Sequence, residues 1–345
     1  EDVVLPTTLN VVTNMTIDLN GKTITAPSGD GYAITNEGGA TLRITNGKTR
    51  TATNGGVING IVYTGENSTT IVDGGTFNAL ENANYIFLNS GGNLTINNAT
   101  INHCGTYPIY SYNEGNKLVI NNATINGTFG CINAYGVNGE VVINGGTFQM
   151  TGVQGNTSHI AYFSSKVKAI INGGTFEKIG DLSMSGTGGG GVCVNGGANL
   201  TINGGNFAGD HEDVYNYGGI YSILGGTYKF NPKAVADGYK AVLSNGKYVV
   251  VANDVDAVAS TQGELETALT AGGDVVLTAG EYTFPADKIQ AGTTINCAEG
   301  TIFTGTSGLN INGATVIGAT FKNEGGVAVS GTIYGTLKNC TFEGE

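Results

Sequence analysis

Through most of its length the chain repeats one short pattern: an apolar residue, Asn or Asp, two small residues, Thr, then an aromatic or aliphatic residue. It reads Leu19-Asn-Gly-Lys-Thr-Ile24, Val72-Asp-Gly-Gly-Thr-Phe77, Ile96-Asn-Asn-Ala-Thr-Ile101 and Ile120-Asn-Asn-Ala-Thr-Ile125. It continues as Ile143-Asn-Gly-Gly-Thr-Phe148, Ile171-Asn-Gly-Gly-Thr-Phe176 and Ile202-Asn-Gly-Gly-Asn-Phe207, with degenerate copies at Thr45–Arg50 and Ile223–Tyr228. The Asn/Asp positions 20, 46, 73, 97, 121, 144, 172 and 203 lie 23 to 31 residues apart. A period of this size, tolerant of insertions, marks a solenoid.

Each copy carries two short alternating runs split by a bend, such as Asn93–Ile96 and Thr100–Asn102. A third run precedes the next copy, as in Ile109–Tyr112, Cys131–Ala134, Ile160–Phe163 and Val192–Val194. No copy holds a helical pattern. Three strands and three bends per turn predict an all-β, right-handed parallel β-helix, each strand pairing with its equivalent one rung away at about 4.8 Å. Two inward columns follow: Leu19, Val72, Ile96, Ile120, Ile143, Ile171, Ile202, Ile223; and Ile24, Phe77, Ile101, Ile125, Phe148, Phe176, Phe207, Tyr228. Asn tolerates a left-handed bend, and stacked amides bond along an axis. The Asn column is therefore structural.

Two segments are predicted: 1–252, a first β-helix whose cap spans about 229–252, and 253–345, a second. Asn231-Pro232 opens a short helix through Asp237, with Pro in the first turn. Asn245-Gly246 between apolar runs signals a two-residue hairpin. The helix and hairpin are expected to cover the end of the first solenoid. Beyond Asn253 the charge shifts, with 11 of the chain's 27 acids but only 3 of its 15 bases in residues 251–345. Thr261-Gln-Gly-Glu264 fits a capping box, and Leu265, Ala268 and Leu269 form one stripe of a helix that would cap the second β-helix. Strands at 275–277, 282–284, 294–296, 301–303, 309–316, 319–321, 333–334 and 341–342 give rungs of about 20 residues, within the range of such repeats. The sequence ends at Glu345 just after a strand, which predicts that the natural protein continues. Glu1 fits a processed or truncated start.

The net charge of −12, with Arg43 and Arg50 the only arginines, argues against nucleic acid, which needs a basic footprint. No run of 18 apolar residues is present to span a bilayer as a helix. The five cysteines are dispersed, and no Cys-x-x-Cys pair suggests zinc. Cys131 and Cys193 fall in strands and read as small buried apolar residues. Most of the nine Asn-x-Ser/Thr sequons follow from the repeat itself.

The Asp18–Ile24 start, the Ile-Asn-Gly-Gly-Thr-Phe repeats and the Val235–Val242 segment resemble pectate-lyase-like β-helix proteins. Proteins of that kind occur in bacteriophage virion fibres, spikes and head decorations, and as bacterial surface proteins. The resemblance covers residues 16–250 well and the remainder only as a fold. It implies a virion-surface or extracellular location, with other virion or cell-surface proteins and host glycans as partners. A homotrimer is common among phage β-helix spikes, though no coiled-coil segment accompanies one here.

Catalytic groups are scarce. Pectate lyases use calcium-binding carboxylates and a basic residue, but Arg43 and Arg50 have no acidic cluster in their own segments. The Asn-Thr-Asp, Asp-Asp and Gly-His-Gly blocks of polygalacturonases are missing from the sequence. No catalytic residue carries over and no cofactor is expected. Asp210-His211-Glu212-Asp213 is the densest polar run. Asp210, Glu212 and Asp213 can bind a metal or act as acid and base, but as neighbours on a bend, where side chains diverge, they read as a solvated loop and not as a catalytic centre. His103 and His159 are isolated, and each reads as a loop or strand-surface residue. Gly186–Gly191 matches a dinucleotide fingerprint by letter but precedes a strand instead of a helix. Tyr107, Tyr110 and Tyr112 in one rung, with Tyr135, Tyr162, Tyr215, Tyr217 and Tyr221 later, form either a face that stacks on sugars or partners or a cover for the core edge. The expectation is a non-enzymatic adhesive or structural virion protein. The alternatives are a depolymerising tailspike, whose carboxylates can come from different rungs, or a bacterial adhesin.

Overall fold

The structure, a computed structural model, describes residues 1–345 except 28–30, 48–54, 81–82, 103–104, 153–157, 180–188, 306–310, 324–333 and 345. Just over half of the chain is strand, wound as a right-handed parallel β-helix of about 12 turns. It divides into two compact units, Glu1–Ala234 and Val235–Glu345.

In the first unit each turn is built from three strands. Nine of them, from Leu9–Val11 to Val214–Tyr217, stack in parallel as one sheet. The other two faces merge where Lys117–Gly127 and Glu140–Met150 run unbroken round a corner. Registers show why the repeat dictates the coil. Val72, Ile96, Ile120, Ile143, Ile171, Ile202 and Ile223 pair in succession, and all have no exposure. Ile24, Ile58, Phe77, Ile101, Ile125, Phe148, Phe176, Phe207 and Tyr228 form the second column. At its end the rings of Phe148, Phe176, Phe207 and Tyr228 lie nearly parallel, with centroids 4.5, 5.0 and 4.9 Å apart. Tyr228 remains compatible with this dry stack because its hydroxyl donates to the Gly225 carbonyl.

Two column assignments differ from the sequence reading. Ile17 pairs with Ile44, and Ile44 with Val72, so Leu19 is not in the first column. Leu19 is buried at the corner instead, its backbone donating to Thr45. After Asn46 the second column resumes at Ile58, because the repeat is interrupted there; Lys48, Thr49 and Arg50 lie outside the described residues.

The Asn column forms a one-way amide ladder. Asn203 donates to Asn172, Asn172 to Asn144, Asn144 to Asn121, Asn121 to Asn97 and Asn97 to Asp73, at 2.5–2.9 Å. The ladder ends on Asp73, an acceptor-only group, whose other oxygen is 2.5 Å from Arg43. A second ladder, which sequence reasoning missed, runs Asn126, Asn102, Asn78, Asn59 to Thr25. The left-handed residue at these corners is not the ladder amide but one beyond it, as at Asn98 and Asn122, or the second glycine, as at Gly146. A Cβ on Gly146 would sit 2.4 Å from the Ala123 carbonyl oxygen, so only glycine fits the closely stacked corner.

In the second unit the described strands number two per turn. Val275, Ile295, Val316 and Leu337 pair in succession, giving the short rung the sequence suggests, and Tyr282, Phe303, Phe321 and Phe342 pair on the other face. The strand Thr336–Lys338 was not anticipated; Leu309, Asn310 and Ile333 lie outside the described residues. Helix Gln262–Ala271 carries the full capping box between Thr261 and Glu264. Its Leu265, Ala268 and Leu269 pack into the core with Val275 and Leu277. The Tyr239–Ser244 and Lys247–Ala252 hairpin turns at Asn245 and Gly246, both with positive φ, as a primed turn demands. Residues 231–237, expected as a helix, form a bend, an isolated bridge and the start of a turn. One proline is a weak local signal, and Ile223 donates to the Ala234 carbonyl there instead. The hairpin belongs to the second compact unit, whose start at Val235 precedes the expected boundary at 252/253.

Candidate functional site

Strand alternation exports every second residue of the nine-stranded sheet. Tyr63, Leu88, Tyr110, Asn133, Tyr162, Cys193 and Tyr215 therefore share one outer row. Tyr112 and Tyr135 lie beside it, each in register with a serine of the strand next to it. At the centre of this face four tyrosine rings cluster. Tyr110 is 4.5 Å from Tyr85, 5.5 Å from Tyr112 and 5.4 Å from Tyr135 between centroids. The Tyr110 hydroxyl donates to that of Tyr135 at 3.1 Å. Burial, followed by this hydrogen bond, pushes the Tyr110 hydroxyl above its ordinary value. All four rings are half-buried. They keep an apolar flank in solvent and a polar tip, the amphipathic combination that favours contact with sugars and proteins.

The other sequence candidates separate. Tyr107 is half-buried and hydrogen-bonded to the His159 backbone, and burial pushes its hydroxyl up to about 12. Tyr215, outward in register, is only 5% exposed, donating to the Gly189 carbonyl and accepting from the Glu212 amide. Tyr217 is open at 47%. Tyr221 lies in another sheet, in register with the inward Leu200. His159, expected on a loop or strand surface, is buried against Tyr162, Tyr215 and Tyr217. Burial lowers it to about 4, and its Nδ1 has no hydrogen-bond partner among the described residues. Burial also pushes the Cys193 thiol up to about 12. Tyr63 and Tyr85 were not singled out from the sequence; the alternation of Ile61–Thr64, aligned with Ile109–Tyr112, could have found Tyr63. His103, Cys104 and residues 186–188 of the Gly186–Gly191 stretch lie outside the described residues.

The three carboxylates of the acidic run take separate partners. Asp210 pairs with the buried Lys178 ammonium at 2.6 Å, which holds its carboxyl below the usual range. Glu212 pairs with Lys233. Asp213 is buried and accepts the backbone N–H groups of Gly209 and Phe230, each at 2.7 Å. Burial nonetheless raises its carboxyl. A cavity of about 130 Å³ lies beside Glu212, Asp213, Phe230 and Lys233. Among the described residues no three His, Cys, Asp or Glu side chains cluster as metal ligands. Nor, among them, is any helix long and apolar enough to cross a membrane.

Compared with protein-family models, curated proteins and solved structures, the chain matches none.

Proposed function

We propose that this protein is an adhesive, non-catalytic β-helix of a virion surface or the cell exterior, and that the outer face of its nine-stranded sheet binds host glycans. The observation that carries the reading is the packed cluster of Tyr85, Tyr110, Tyr112 and Tyr135 on a regular sheet. Tyr112 and Tyr135 of neighbouring rungs lie 5.9 Å apart between centroids, close to the inter-strand spacing, so an extended saccharide running along the coil can meet one ring after the other. The strands hold the backbone, and ring-to-ring contacts restrict the side chains, so little freedom is lost on binding. The pectate-lyase-like character of the repeat, and its likeness to phage fibres, spikes and head decorations, support the location and the assignment of other surface proteins as neighbours. The acidic run contributes to the fold: Asp210 and Asp213 fasten the turn 209–213 to Lys178 and Phe230.

Retention of wild type and the Tyr110→Ala/Tyr135→Ala pair on immobilised capsular or cell-wall polysaccharide tests the proposal, with the chain length of the recovered polymer measured in parallel. Wild type should be retained and the polymer unchanged, while the double variant elutes early. Shortened polymer with new reducing or unsaturated ends would establish a depolymerase instead.

A further inference from the structure

A second feature of the same sheet lies toward its amino-terminal edge. Strands Leu9–Val11, Tyr32–Asn36 and Ile61–Thr64 are successive neighbours there. Their outer residues, with Thr8 and Glu37, line an open groove of about 420 Å³. Tyr32 and Tyr63 form its aromatic wall, with ring centroids 6.3 Å apart and planes at 77°. One ring thus stands upright beside the other, leaving a corner in which a flat ligand meets a face and an edge at once.

The polar groups are arranged to complement a polyhydroxylated ring. Thr35 donates to the Asn10 side-chain oxygen at 2.5 Å, which orients the amide so that its NH2 group remains for a ligand. Neither that NH2 group nor the exposed Glu37 carboxylate has a hydrogen-bond partner among the described residues. An amide donor and a carboxylate acceptor flanking aromatic rings match vicinal hydroxyls, each of which both donates and accepts. Among the described residues that line the groove Glu37 is the one charged group, so an anionic ligand meets repulsion there without a compensating cation from them. Tyr63 also shares its outer row with Tyr110, two rungs along, about 10 Å at the inter-strand spacing.

We propose that this groove is a saccharide subsite selective for a neutral pyranose, with Tyr63 as stacking platform and Asn10 and Glu37 as hydroxyl ligands. The inference rests on the glycan-binding reading above and extends it by naming the sugar class and a subsite outside the central tyrosine cluster. It excludes uronate polymers, whose carboxylates would face Glu37.

Calorimetric titration with hexasaccharides tests it. The neutral probes are cello-, manno-, xylo- and N-acetylchito-oligomers, and oligogalacturonate is the charged comparator. At least one neutral probe should bind and oligogalacturonate should not. Tyr63→Ala and, separately, Glu37→Gln should each weaken that binding about tenfold, or about 1.4 kcal/mol, with circular dichroism and melting unchanged. Retained affinity in both variants, with loss only in Tyr110→Ala/Tyr135→Ala, would overturn the subsite and leave the central face standing. Loss in Tyr63→Ala alone, with the central pair unaffected, would uphold the subsite against that face. Preference for oligogalacturonate would overturn the assigned class, and absence of binding to every probe would overturn both readings.

Discussion

The two units build parallel coils from different rungs. In the first, the paired residues of successive rungs lie 19 to 34 positions apart, three strands close each turn, and amide ladders line two corners. In the second, the pairing interval is 18 to 21, the described strands number two per turn, and a helix packs on the core. The shorter rung has fewer corners. Among the described residues of the second unit no Asn-to-Asn side-chain bond stacks from rung to rung. There, apolar packing on Phe303 and Phe321 and the capped helix carry the regularity that amides share in the first unit. The difference also bears on the proposed glycan-binding face. The longer rung provides an additional sheet whose outer face does not need to serve the core, and the tyrosine cluster lies on it.

The largest test of this contrast is a cavity in each aromatic column. Phe148→Ala removes a fully buried ring stacked 4.5 Å from Phe176 and should cost about 3–5 kcal/mol. Because a solenoid's stability resides in neighbour interfaces, hydrogen exchange should accelerate across residues 120–176 and leave 274–304 unchanged. Phe303→Ala should produce the reverse pattern. Acceleration of both units by either variant would show that they unfold together.

Acid should separate the units next. His159 is buried neutral, and its folded value of about 4 lies below the ordinary 6.5. Its contribution is complete above pH 6.5 and is lost as pH falls toward 4, by about 3 kcal/mol in the first unit. Asp213 acts in the opposite sense: burial raises its carboxyl, so its contribution grows as pH falls toward the ordinary carboxylate value. Glu264, in the second unit, is held below its ordinary 4.5, chiefly by the Ser260 N–H. Its contribution persists until pH falls through 4.5. Between pH 6.5 and 4.5, melting should decline for the first unit alone, and His159→Phe should flatten that decline. An equal decline in the second unit over that window would contradict the assignment.

Smaller effects probe the corner and the cap. Asn121→Ala interrupts the ladder between Asn97 and Asn144 and should cost about 1–3 kcal/mol, since both neighbours lose a partner. Glu264→Ala removes half of the capping box and should cost about 1 kcal/mol, confined to the second unit. Chemical denaturation of each variant checks both magnitudes; a loss at Asn121 no larger than that at Glu264 would make the ladder incidental.

The extent to which sequence exposed these features follows the range of the interaction responsible. The inward columns were legible because each copy of the motif reports the same inward positions, from Val72 to Tyr228. The capping box and the Asn245-Gly246 turn were legible because both are completed within a few residues. Ile58 was not, because the interruption after Asn46 separates it from its motif. Asn59, Asn78, Asn102 and Asn126 were overlooked because their partners lie one rung away, outside the recurring six residues. The tyrosine cluster was visible only in part: composition and strand position singled out Tyr110, Tyr112 and Tyr135. Recruiting Tyr63 and Tyr85, and demoting Tyr215 and Tyr221, required the inter-rung register. The separation of the Asp210, Glu212 and Asp213 partners likewise depends on Lys178, Phe230 and Lys233, which are distant along the chain.

Hydroxyl-radical footprinting of the whole chain, with and without a retained polysaccharide, tests most directly whether ligand binding belongs to the additional sheet of the long-rung unit. Protection should concentrate on Tyr63, Tyr110, Tyr112 and Tyr135, with Tyr248 and Tyr334 of the second unit unprotected. Protection of Tyr248 or Tyr334 with the first-unit tyrosines unchanged would contradict it.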